Sequence, residues 1–123
     1  TLILDIKFNE TYFERAIHHE IFHIIEDNYK DLFDKAEWKN FNKKDFRYSE
    51  CSTCNNNWNL ELLNNMSGFL TEYSKSTASE DMAEVFSHLI FYQDKIYNNN
   101  LIIKKKIQFI KENISKIDNS FKF

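Results

Sequence analysis

Leu2, Leu4, Ile6 and Phe8 alternate with less apolar positions, the period of a short strand. From Thr11 the period lengthens. Phe13, Ile17, Ile21 and Ile24 recur at helical spacing, widened by Phe22 and Ile25, and predict a deeply packed helix that runs to about Asp27. Thr11 and Glu14 have the spacing of a capping box, with Thr11 as its N-cap. A second helix is expected through Tyr29, Leu32, Phe33 and Ala36, near Trp38. Residues 41–57 carry no sustained period and read as a long loop, which in a small domain is functional or mobile. Residues 58–66 suggest a short helix, followed by Gly68 and a small-polar turn at residues 75–79. Ser79 is the expected N-cap of a helix over residues 80–97, with Met82, Val85, Phe86, Leu89 and Ile96 on its buried face. Asn98, Asn99 and Asn100 interrupt the pattern. Ile103, Ile107, Ile110, Ile114 and Ile117 then predict an amphipathic helix from Leu101 to Ile117, whose lysines form its solvated face.

Composition points the same way. With no Pro and one Gly, a sheet-rich fold with many tight turns is disfavoured and a mainly α fold is expected. The chain of 123 residues has the length of a single domain, and its 12 Phe supply a real core. The net charge of −3 gives no case for a nucleic-acid partner. No apolar run approaches the ~20 residues of a membrane span. Thr1 stands where an initiator Met would, so a removed leader or an excised domain is expected. The sequence leaves oligomeric state open.

The chemistry gathers at His19-Glu20-Ile21-Phe22-His23, an H-E-x-x-H pentad inside the first predicted helix. Residues four apart share a helix face, so His19 and His23 can offer two imidazoles to one metal ion. Glu20 sits one step around, where a general base would stand beside the ion. A catalytic zinc site takes three protein ligands and keeps an open position. Glu80 and Glu84, four apart at the start of a later predicted helix, offer a third ligand and a carboxylate to orient a ligating imidazole.

These residues resemble a gluzincin metallopeptidase, in which a Glu on a later helix completes the pentad. Within that group the chain is similar to the catalytic domain of anthrax lethal factor and to the zinc-binding metallopeptidases of bacteria. In lethal-factor-like enzymes the ligand Glu opens an E-x-x-A-E run, matched here by Glu80, Ala83 and Glu84, and a Tyr stands seven residues before it, matched by Tyr73. The resemblance covers residues 11–91. It implies a compact zincin-like domain with at most a minimal N-terminal β element, and peptide hydrolysis through zinc-activated water. It also implies His19, His23 and Glu80 as zinc ligands, Glu20 as base, Glu84 as the supporting carboxylate, and Tyr73 as donor to the oxyanion. Two departures stand out. Family members often have Gly where this chain has Phe22, and only 18 residues precede His19, too few for the usual substrate-binding sheet. Either the fold is minimal or more of the protein lies upstream.

Other features have plainer readings. His18 points about 100° away from His19 and reads as a packing residue or one that supports a ligand, not as a ligand itself. His88 lies one turn after Glu84 and suggests a local contact. Cys51 and Cys54 lack two further ligands for structural zinc, and a loop disulfide, favoured over free thiols, would fit an exported protein. A zinc metallopeptidase acting on a peptide or protein substrate is the expectation. The rivals are a non-catalytic zinc-binding or protein-interaction domain that retains the fold, and a helical module without metal.

Overall fold

The computed structural model describes residues 10–54, 61–63, 67–92 and 100–121. The expected strand at residues 2–8 lies outside them. Helix α1 spans Glu10–Asn28, α2 Lys35–Lys39, α3 Ala78–Tyr92 and α4 Leu101–Ile117, and a 3-10 turn at Tyr73–Lys75 leads into α3. No strand occurs among the described residues, in line with a mainly α fold.

Helix α3 is the centre of the molecule. It packs against α1, α2, α4 and the 3-10 turn, and every residue from Asp81 to Leu89 is buried. Phe22 of α1 meets Phe86 of α3 and Phe33, with ring centroids 5.4 and 5.1 Å apart. Trp38 of α2 packs edge-on against Phe109 of α4 at 5.4 Å. Helix α4 lays Ile103, Phe109, Ile110 and Ile114 on this core. Asn100 caps it, its side chain accepting from the Ile103 N–H at 2.9 Å.

Helix α1 departs most from expectation. Half of its expected core stripe faces outward: Ile21 is 40 % and Ile24 64 % exposed, whereas Phe13 and Ile17 are half-buried and Ile25 packs against the core. The buried face carries Arg15, His19, Phe22 and Glu26, at i, i+4, i+7 and i+11. The inward polar groups are paired with polar groups of α3, and so a hydropathy pattern alone points the helix the wrong way. Phe22 is completely buried and is the apolar anchor of this face.

Smaller corrections follow from local hydrogen bonding. Helix α1 already includes Thr11, so this residue is not its cap. Helix α2 does not reach back to Tyr29. It starts after Asp34, whose carboxylate accepts from the N–H groups of Ala36 and Glu37 at 2.7 and 3.2 Å. The helix expected over residues 58–66 lies largely outside the described residues, and its described centre, residues 61–63, is not helical. There Leu63 donates its N–H to the Leu70 carbonyl at 2.7 Å instead. Thr77, not Ser79, caps α3, its hydroxyl oxygen accepting from the Glu80 N–H at 3.1 Å. Residues 93–97, the expected end of that helix, lie outside the described residues.

The loop after α2 is irregular, as its lack of period suggested, yet it is tied to the core. Ser49 and Glu50 donate their N–H groups to the carbonyls of Lys75 and Ser76. Cys51 and Cys54 form a disulfide. Tyr48 donates its hydroxyl to Asp81 Oδ2 at 2.6 Å. The same oxygen accepts from Trp38 Nε1 at 3.0 Å and from Lys106 Nζ at 2.8 Å. Lys106 is therefore not on the solvated face of α4 but fully buried, its ammonium also bonded to the Gly68 carbonyl and lying 4.0 Å from the Phe69 ring centroid.

Candidate metal centre

Two helices build the site. Helix α1 presents His19 and His23 on successive turns, and the first turn of α3 presents Glu80. The two Nε2 atoms are 3.2 Å apart, and a Glu80 carboxylate oxygen lies 3.4 Å from that of His19 and in closer contact with that of His23. One atom from each residue falls within a set 4.8 Å across. Three donors this close can share one cation, and a nitrogen–nitrogen–oxygen set is the donor chemistry of zinc.

The far sides of both imidazoles are also held. His19 Nδ1 donates to Glu84 Oε2 at 3.0 Å, and the other Glu84 oxygen accepts from the Thr71 hydroxyl at 2.8 Å. His23 Nδ1 lies 3.2 Å from the Ser79 hydroxyl, which donates to Glu26. In each ring a proton on Nδ1 leaves the Nε2 lone pair aimed at the shared point. Glu26, Ser79 and Thr71 escaped the sequence reading. The available signals were a carboxylate one turn after His23 and a hydroxyl adjoining Glu80, but Ser79 also matched a helix cap.

Charge follows this geometry. Burial disfavours the imidazolium of His19, but hydrogen bonds and charges from Glu80 and Glu84 outweigh it and raise its pKa to about 9. For His23 burial is likewise outweighed, by Glu26, Glu80 and Glu20, and the pKa rises to about 10. Burial pushes the Glu80 carboxyl up, yet the two imidazoles hold it down at about 2.

The remaining predicted residues lie around this cluster. Glu20 is exposed on α1, and its charge is felt by His23. The half-buried Tyr73 ring stands 5.9 Å from the His19 ring, centroid to centroid. His18 is half-buried and is not among the converging donors. His88 does contact Glu84, but through the backbone: its Nδ1 donates to the Glu84 carbonyl at 2.6 Å, while Nε2 faces Arg15 of α1 at 3.4 Å. Burial lowers its pKa to about 4, so it is neutral. A cleft of about 630 Å³ opens beside His23 and Ser79, bordered by Asp27, Lys30, Phe33 and Lys35.

A partly buried set of two histidines and one glutamate, carried by a pair of packed helices, has the donors to hold a metal ion. The model of the family described as "Putative zinc-binding metallo-peptidase" matches residues 4–121, and the chain belongs to that family. No curated protein and no solved structure matches the chain. Among the described residues no helix is long and apolar enough to cross a membrane.

Proposed function

We propose that the chain is a zinc-dependent peptidase of the gluzincin type, in which His19, His23 and Glu80 hold the ion. The observation that carries this reading is the convergence of both Nε2 atoms and the Glu80 carboxylate, with both Nδ1 atoms hydrogen-bonded on the far side. When bound, zinc supplies a Lewis acid that polarises the scissile carbonyl and acidifies water. Glu84 fixes the His19 ring so that its lone pair faces the ion. Glu20, exposed next to His19, takes the proton of the attacking water and delivers it to the leaving amine. The Tyr73 hydroxyl donates a hydrogen bond to the oxyanion that develops on the substrate. The cleft beside His23 gives an extended peptide room to approach. The disulfide favours an oxidising compartment, hence an exported protein.

The test is zinc stoichiometry on protein purified without added metal, followed by a peptide-library assay of wild type and Glu20→Gln. About one zinc per chain, with cleavage that falls at least ~100-fold in Glu20→Gln while zinc is retained, is the expected result. Zinc without cleavage by the wild type would point to a non-catalytic binding domain, and no zinc in either protein would sink both readings.

A further inference from the structure

Ser79 and Glu26 belong to neither the ligand set nor the proton-transfer machinery. We propose that they form a positioning relay, Glu26–Ser79–His23, that holds the Nδ1 proton of His23 and aims its Nε2 at the ion. The inference rests on the zinc-site reading above. The direction of the relay follows from donor chemistry. An ionised Glu26 can only accept, so the single Ser79 hydroxyl proton goes to it. The Ser79 oxygen then accepts from His23 Nδ1 at 3.2 Å.

Three observations set this apart from ordinary packing. First, a Ser in the opening turn of a helix usually bonds nearby backbone. Here Thr77 takes the capping bond, and the Ser79 hydroxyl crosses to α1. Second, Glu26 is only 6 % exposed and sits in the last turn of α1, where the helix dipole disfavours an anion. Burial and dipole both act against a carboxylate there, and the contacts with His23 and the Ser79 hydroxyl offset them. Third, Ser79 directly precedes Glu80. One turn of α3 thus grips both nitrogens of His23, Ser79 at Nδ1 and Glu80 at Nε2. The His19 side has the same three parts, imidazole, carboxylate and hydroxyl, but there the carboxylate bonds the ring at 3.0 Å, whereas Glu26 lies 3.6 Å from His23 Nδ1 with the Ser79 hydroxyl, at 3.2 Å, nearer to it.

The test combines zinc affinity, by competition with a chromophoric chelator, with NMR observation of the His23 ring N–H and the melting temperature of the metal-free protein. The wild type should show a His23 Nδ1 proton protected from solvent exchange, with and without zinc. Ser79→Ala should lose that signal and bind zinc about 10- to 100-fold more weakly, with the metal-free melting temperature little changed. Ser79→Thr, which keeps the hydroxyl, should restore both. Ser79→Ala combined with Glu26→Gln should bind zinc no more weakly than the weaker single variant, because both cut one chain of bonds. Unchanged affinity in Ser79→Ala, or losses that add in full, would overturn the relay. Zinc binding by a wild type that lacks the protected proton would overturn the relay alone, and needs no substitution. A wild type that holds no zinc would overturn the peptidase reading and, with it, the purpose of the relay.

Discussion

Glu80 and Glu84 are one helical turn apart, yet they meet the imidazoles from opposite sides. Glu80 reaches the Nε2 atoms of both rings, whereas Glu84 holds the Nδ1 of His19. Removal of a ligand should therefore cost more than removal of its neighbour's support. Glu80→Ala is expected to weaken zinc binding by a larger factor than Glu84→Ala, for which about 10- to 100-fold is expected, both read by chelator competition. The reverse order would exchange their roles. A pH dependence follows from the same atoms. Both histidines have folded pKa values, about 9 and about 10, above the ~6.5 of an unfolded imidazole. Their contribution to the stability of the metal-free protein is thus complete below ~6.5 and is lost as pH rises through 9 to 10. The melting temperature in chelator should fall over that range. Zinc affinity should rise between pH 7 and about 9, because at neutral pH the ion displaces protons from both rings.

Helix α3 is buried on every side, and its carboxylates serve different ends. Asp81, next to Glu80, is completely buried, and burial pushes its carboxyl up against the opposing pull of Lys106. Loss of one partner leaves the other charge uncompensated in the core. Lys106→Met should destabilise the protein by about 3–5 kcal/mol, and addition of Asp81→Leu should recover much of this in urea unfolding. A double variant as unstable as the single would mean that the pair itself, not its imbalance, holds α4 on α3. The elements themselves were legible to different degrees. Helix α4 was readable end to end because isoleucines recur at its buried spacing and Asn100 supplies the cap. Helix α2 was placed too early because Leu32 and Phe33 continue an apolar pattern that Asp34 interrupts by capping. The face of α1 was misread because its buried side is polar, and no periodicity count credits a buried Arg or Glu. At the candidate site, the pentad and the Glu80/Glu84 spacing marked the residues that converge. Glu26 and Ser79 stayed hidden because their meeting depends on how α1 and α3 dock, 53 residues apart.

At the scale of the molecule, the contact between α1 and α3 is where packing and chemistry compete for the same space. Its inner surface holds Arg15, His19, Glu26, Glu84 and His88, all buried, where an ordinary helix pair would interdigitate aliphatic side chains. A buried ion pair is a weak source of net stability, and apolar residues of similar volume often match or exceed it. His19→Leu combined with Glu84→Leu should therefore leave the metal-free melting temperature equal to, or above, that of the metal-free wild type, while zinc binding is abolished. A marked fall would mean that the polar seam stabilises the fold in its own right. The outward-facing Ile21 and Ile24 carry the same logic to the surface. Selection for foldability alone, in a laboratory library or by consensus design, would be free to turn α1 about its axis, sinking the isoleucines and expelling the histidines. The orientation of this one helix is thus what selection for stability alone would change first, and the chemistry proposed for its histidines would be lost with it.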